Sequence, residues 1–302
     1  MAFQDYIATE IATDAADGII TRREALRRLA LLGLSAGAAT ALLAACGGDD
    51  EESGSPDPSG PPAETQTTAA STTTTGAAGG TLVTFKGPRG DLQGSFAAAA
   101  TPRGAVLIIH ENRGLTPHFV ALPGRLAASG YSALAVDLLS EEGGTATLGD
   151  EAKVQAALSA APRDRLVADA RAGIDELERR APGQKLGMMG FCFGGGMTWS
   201  VLAAPEPRLA AAVPFYGPLP DGADFTGAKA AVLAIYGGLD TRVNGTRDAA
   251  AAALTEAGLV HELKTYDGAD HAFFNDTGAR YNQAAAEQAY TAVLDWFGRY
   301  MA

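Results

Sequence analysis

The residues with most chemical potential in this 302-residue chain stand at the ends of apolar runs. Gly190-Phe191-Cys192-Phe193-Gly194 has the form G-x-C-x-G, between a strand-like run (Lys185–Gly190) and a helix-like stretch (Gly195–Ala203). This is the strand–turn–helix pattern of a nucleophile elbow, with cysteine where serine usually stands. The turn strains the nucleophile's backbone and crowds its neighbours, so glycines flank it. A cysteine at a helix N-terminus gains thiolate character from the dipole, and the N–H of Phe193 is placed to meet a developing oxyanion. In such arrangements the acid and then the histidine follow the nucleophile along the chain. Asp240 follows the run Ala230–Tyr236, and His271 lies in a Gly-Ala-Asp-His-Ala-Phe loop. Asp267 and Asp270 compete as partners for the imidazole, and Asp240 is favoured by its place after a buried strand. Two other readings of Cys192 are a small buried hydrophobe and a phosphate-binding glycine turn. The turn reading lacks the G-x-G-x-x-G spacing.

The remaining pattern must position these residues. Thr81–Lys86 and Leu92–Ala98 flank Gly87, Pro88 and Gly90 and predict a hairpin. Continuous apolar runs, as in buried parallel strands, follow at Ala105–His110, Ser132–Val136, Lys185–Gly190, Ala210–Phe215, Ala230–Tyr236 and Val260–Tyr266. Helical patterns alternate with them at Phe119–Ser129, Ala152–Leu158, Arg163–Arg180, Gly195–Ala203, Arg247–Ala257 and Asn282–Tyr300. The alternation predicts one α/β domain, a mostly parallel sheet with helices on both faces. Its ligand site belongs at the carboxyl ends of the strands, where Glu111-Asn112-Arg113-Gly114, Cys192, Asp240 and His271 all fall.

These segments together resemble the dienelactone hydrolase family of α/β-hydrolases, over about Thr81 to Ala302. The signatures are His110-Glu111-Asn112-Arg113-Gly114, Gly190-Phe191-Cys192-Phe193-Gly194-Gly195, Tyr236-Gly237-Gly238-Leu239-Asp240 and His271-Ala272-Phe273. The resemblance implies an α/β-hydrolase fold and a triad of Cys192, His271 and Asp240. It further implies a role for Glu111 in deprotonating the cysteine, and a second oxyanion N–H from Asn112. The implied reaction is hydrolysis of a small ester or lactone through an acyl-cysteine, with no metal or organic cofactor. Family members specific for dienelactone hold a substrate carboxylate with two arginines, whose places here read Leu139-Ser140-Glu141-Glu142 and Phe273-Phe274-Asn275. A more neutral ester or lactone is expected at least as much as dienelactone, with Arg113 and Arg242 as the candidates for a compensating cation and Glu141 and Glu142 near the mouth repelling an anion. A thioester or peptide hydrolase on the same triad, and a non-catalytic binding lipoprotein, are the alternatives.

The first 80 residues read differently. Arg22, Arg23, Arg27 and Arg28 precede an apolar run from Leu29 to Ala45, as in an export signal. Thr21-Arg22-Arg23 with Leu26 resembles a twin-arginine signal, although Ala25 stands where an aromatic is usual. Leu43-Ala44-Ala45-Cys46 looks like a bacterial lipobox, which would make Cys46 a lipidated mature N-terminus. Residues 46–80 are Gly, Ser, Thr, Pro and acid without a large apolar side chain, the composition of a disordered tether. The expected organisation is thus a signal over 1–45, a tether over 46–80 and a hydrolase domain over 81–302. The expected location is the extracytoplasmic side of a bacterial membrane, held by the lipid on Cys46.

Composition narrows the partners. Lys and Arg number 23 against 35 Asp and Glu, a net charge of -12, which argues against nucleic acid. Two cysteines cannot build a disulfide framework or a cysteine-based structural zinc site. A small-molecule ester or lactone as substrate is what the family resemblance implies.

Overall fold

The computed structural model describes residues 3–47 and 79–302. Its centre is an eight-stranded sheet in the order β1-β2-β4-β3-β5-β6-β7-β8. The strands are β1 (Thr81–Lys86), β2 (Asp91–Ala97), β3 (Ala105–Ile109), β4 (Ser132–Asp137), β5 (Leu186–Phe191), β6 (Leu209–Phe215), β7 (Ala231–Gly237) and β8 (His261–Tyr266). The hairpin β1–β2 and the pair β2–β4 are antiparallel, and the rest of the sheet is parallel. Strands β3, β4, β5 and β7 are buried at every position, so both faces of the sheet are covered. This is why they read as unbroken apolar runs rather than alternating ones.

Three helices precede the sheet: α1 (Phe3–Ala16), α2 (Arg22–Leu31) and α3 (Ala36–Cys46). Those within the sheet region are α4 (Pro117–Ala128), α5 (Thr145–Leu148), α6 (Glu151–Ala160), α7 (Arg163–Arg180), α8 (Phe193–Ala203), α9 (Thr241–Asn244), α10 (Arg247–Glu256) and α11 (Gln283–Tyr300). Helix α7 shows how the layers form: Leu166, Ala170, Ile174 and Leu177 recur at helical spacing and are buried, while Asp175, Glu178 and Arg179 lie exposed on the outer face. Helix α11 is fastened by Trp296, whose indole N–H donates to the Ala231 carbonyl at 3.1 Å.

The chain order makes the crevice. From β3 the chain crosses to β4 on one side, and β5 returns to the other side of β3. Leu107 on β3 accordingly stands opposite both Leu134 and Met188. The loops after β3 and β5 diverge there and leave the opening where doubly wound sheets bind ligands.

Helices α1, α2 and α3, from the segment read as an export signal, pack against the sheet region in the uncleaved chain. Tyr6, Ile7, Ile11, Ala12, Ala25, Leu29, Ala39 and Leu43 are all buried. Arg28 reaches Glu151 at 3.0 Å, and Arg27 reaches Asp150 at 3.1 Å. The buried face of α1 includes two carboxylates, Glu10 and Asp14, which in sequence look like solvated charges. Their partners, Arg242 and Arg280, lie more than 200 residues away. Most of the expected tether, residues 48–78, lies outside the described residues.

At the β5–α8 turn a Cβ on Gly190 would come 2.1 Å from the Gly194 carbonyl oxygen. Gly190 is held in β5 and Gly194 in the first turn of α8, so neither backbone yields readily. Gly190→Ala should lower unfolding stability by about 3 kcal/mol, the upper end of overpacking costs. Urea denaturation of the variant against the parent measures it, and an unchanged midpoint would count against this account of the turn.

Candidate active site

Cys192 links β5 to α8 with φ 55° and ψ -117°, a left-handed conformation rare for a residue with a side chain. The strain is held by its surroundings. The Cys192 N–H donates to the Phe215 carbonyl at 3.0 Å, and the Gly196 N–H donates to the Cys192 carbonyl at 3.1 Å. A Cβ on Gly194 would fall 2.4 Å from the Ile109 carbonyl oxygen, so only glycine lets the start of α8 press against the end of β3. Phe193 opens α8, and Asn112 is buried in the loop after β3.

His271 stands where Nδ1 donates to Asp240 Oδ2 at 2.5 Å. Asp240 is in turn the N-cap of α9, its Oδ1 accepting the Val243 N–H at 3.1 Å. Asp270 is not the imidazole's partner; it accepts the backbone N–H of His271 at 2.6 Å. Burial by itself would raise the Asp240 carboxyl, but the adjacent imidazole, their hydrogen bond and Arg242 bring it below the usual carboxylate range. Burial would likewise lower His271, but the charges of Glu10, Asp240 and Cys192 raise it well above an ordinary imidazole.

Glu111 is buried and held from two sides. Its Oε1 accepts the Tyr216 hydroxyl at 3.2 Å and its Oε2 accepts the Asn275 amide at 2.8 Å. Tyr216 has φ 34° and stacks edge-on against His271 with centroids 5.0 Å apart. It therefore links the glutamate to the imidazole. Arg113 pairs with Glu151 instead of Glu111. Neither Tyr216 nor Asn275 was singled out in the sequence. Tyr216 follows the run Ala210–Phe215, so the strand-end rule that located Cys192 and Asp240 could have found it.

The unanticipated part of the site comes from α1. The Tyr6 hydroxyl lies 3.2 Å from Cys192 Sγ and 3.4 Å from His271 Nε2. Glu10 pairs with Arg242, and its other oxygen lies 3.6 Å from His271 Nε2. Asp14 accepts from Arg280 at 2.8 Å. Cys192, His271 and Glu10 offer donor atoms within 4.8 Å of one another, a thiol–imidazole–carboxylate set of the sort that suits zinc. Arg242 already holds Glu10, however, and Tyr6 touches the other two donors.

Other predicted positions fall outside this cluster. Glu141 and Glu142 do not guard the mouth with free charge: Glu141 pairs with Arg89 and Glu142 with Arg165. His110 is buried and bonded at both nitrogens, Nδ1 donating to the Glu111 carbonyl at 2.7 Å and Nε2 accepting the Leu138 N–H at 3.2 Å. That pattern belongs to a neutral imidazole, and burial does lower it. His118 starts α4 and pairs with Asp276, and His261 opens β8, its Nδ1 bonded to the Leu259 carbonyl. Cys46 ends α3 as a partly exposed free thiol.

Cys192, His271, Glu111, Asn112 and Arg113 line a cavity of about 260 Å³, with Glu10, Asp14 and Ile19 on the facing wall. A thiol, an imidazole oriented by a buried carboxylate and a second anchored carboxylate share this space. Such a set can attack a carbonyl, carry a proton and hold an acyl intermediate.

The dienelactone hydrolase family model matches residues 93–301. A protein from Methylorubrum extorquens provisionally named carboxymethylenebutenolidase is 31% identical over 220 residues, 67% of this chain and 74% of that one. One of the same name from Escherichia coli O157:H7 is 32% identical over 212 residues, 66% of this chain and 78% of that one. The structure is similar to that of a provisionally assigned dienelactone hydrolase from Klebsiella pneumoniae, with TM-score 0.65 and 28% identity over 73% of this chain and 98% of that one. The dienelactone hydrolase structure from Anabaena variabilis, at 21% identity and TM-score 0.60, shares the fold. With the family pattern spanning nearly the whole sheet region, this chain belongs to the dienelactone hydrolase family and is a hydrolase of the α/β-hydrolase fold.

Proposed function

We propose that the protein hydrolyses a small ester or lactone through an acyl intermediate on Cys192. The observation that carries this reading is the buried His271 Nδ1–Asp240 bond at 2.5 Å, beside a cysteine strained at a strand-to-helix turn. Cys192 attacks the carbonyl carbon as a thiolate, which the start of α8 favours. The N–H groups of Phe193 and Asn112 take the oxyanion. His271 Nε2 protonates the leaving oxygen, and the C–O bond breaks to leave a thioester. The imidazole then accepts a proton from water, whose oxygen releases the acid and restores the thiol. Asp240 fixes the tautomer by holding Nδ1–H and stabilises the imidazolium. Glu111, fixed by Tyr216 and Asn275, adds a carboxylate that assists deprotonation of the thiol.

We further propose that the chain is exported and lipidated at Cys46. Helix α3 is mostly apolar, yet only Ala39 and Leu43 are buried, which leaves most of its surface without a partner among the described residues. Among the described residues no helix is long and apolar enough to cross a membrane.

Replacing Cys192 with Ala should abolish turnover of p-nitrophenyl acetate and of simple lactones; equal turnover by both proteins would defeat the hydrolase reading. Asp240→Asn should leave the fold intact and lower kcat about 1,000-fold or more, because the imidazole loses the acceptor that sets its tautomer. Glu111→Gln keeps an acceptor for Tyr216 and should lower kcat/KM about 10- to 100-fold, the scale of proton-transfer assistance. An unchanged kcat/KM would assign Glu111 to packing alone. Expression in a bacterial host with an alkyne-tagged fatty acid should label the parent and not Cys46→Ala, and an unlabelled parent would remove the anchor.

A further inference from the structure

The face of α1 that meets the site repeats at one helical turn: Tyr6, Glu10 and Asp14, spaced by four residues. Each is buried and each touches a group at the mouth of the catalytic cleft. The Tyr6 oxygen is 3.2 Å from Cys192 Sγ and 3.4 Å from His271 Nε2. A reacting ester must place its atoms within about 3–3.5 Å of the same two groups. The phenol therefore stands where the leaving-group oxygen has to be. Arg242 lies over the Tyr6 ring, 4.5 Å from its centroid, and pairs with Glu10. Asp14 and Asp17 both engage Arg280, at 2.8 and 2.5 Å. The pairs from Arg27 and Arg28 to Asp150 and Glu151 fasten α2 farther along. With these contacts in place Cys192 and His271 are only 2% and 3% exposed.

We propose that α1 is an intramolecular inhibitor of the catalytic site: Tyr6 fills the leaving-group position, Glu10 and Asp14 latch the helix to Arg242 and Arg280, and the chain is latent until α1 withdraws. The proposal rests on the hydrolase reading of Cys192 and His271. It gives the N-terminal segment a second role beside that of an export signal. A cut before Cys46 would remove α1, α2 and nearly all of α3, and every contact described above would leave with them. The two arginines would then face the emptied cleft. A chain that hydrolyses esters would in this way remain idle before export and become active after processing. The negative face of α1 fits this role because it presents a phenol and carboxylates to a thiol, an imidazole and two guanidinium groups, as a bound anionic aryl product would.

The test uses the full chain. Glu10→Arg sets like charge against Arg242 and Arg280 and should release the latch, whereas Tyr6→Ala removes the buried hydroxyl and ring and leaves a cavity in the packed face of α1. Alkylation by iodoacetamide is followed by peptide mapping, so that the adduct on Cys192 is counted separately from that on Cys46. Turnover of p-nitrophenyl acetate is read in parallel. Both variants should alkylate at Cys192 at least 10-fold faster than the parent and show a higher kcat/KM. Equal alkylation and equal turnover in all three proteins would overturn the proposal while leaving the hydrolase reading standing. Faster alkylation with no turnover by any protein would support the plug and refute the hydrolase reading. Slower turnover in both variants would make α1 a working wall of the site and overturn the inhibitor role.

Discussion

Everything at this site depends on one crowded contact, where the start of α8 meets the ends of β3 and β5. Gly190, Gly194 and Gly195 leave no room for a Cβ, since each would meet a backbone oxygen at 2.1 to 2.4 Å. The close approach forces Cys192 into a left-handed conformation. Such strain persists only where the surroundings over-determine it. Here the sheet supplies the Phe215 carbonyl and the helix supplies the Gly196 N–H. The result is a thiol fixed at the start of a helix, with the loops after β3 and β7 and the one following β8 as its neighbours. Asn112, Asp240 and His271 reach it from these loops.

Around that contact the charges are arranged in two tiers. Inside, Asp240 and His271 form a tight pair whose burial is offset by their mutual attraction and by the Val243 N–H. Glu111 is satisfied by neutral donors, Tyr216 and Asn275. Outside, Arg242 and Arg280 are met by carboxylates of α1. Burying a charge without a partner costs several kcal/mol per ion, so these arginines and acids hold one another in place. Removing α1 would leave the arginines to solvent or to an anionic ligand. The cations of this tier stand at Arg242, on α9, and Arg280, in the loop before α11.

Much of the sheet region was legible because both kinds of signal were local. Fully buried strands appear as apolar runs, and β3, β5 and β7 end within a residue or so of where those runs end. The elbow glycines and the order Cys192, Asp240, His271 were likewise readable, because a turn and a chain order are properties of sequence. Asp240 is favoured over Asp267 and Asp270 by its place after a buried strand, and the coordinates put Asp240 on the imidazole Nδ1 and Asp270 on the His271 backbone N–H. Tyr216 and Asn275 were passed over because no local pattern marks a residue whose role is to hold another side chain.

The amino-acid sequence by itself determined the hydrolase region, its parallel sheet and the identity of the cysteine, aspartate and histidine at the strand ends. Backbone propensity, burial periodicity and turn geometry act over a few residues and can be read there. Only the tertiary structure decided where the N-terminal segment packs. Nothing local in the sequence marks Tyr6, Glu10 and Asp14 as partners of Cys192, Arg242 and Arg280. Their meeting depends on a packing of segments 186 or more residues apart, and long-range pairing of buried charges leaves no periodic trace along the chain.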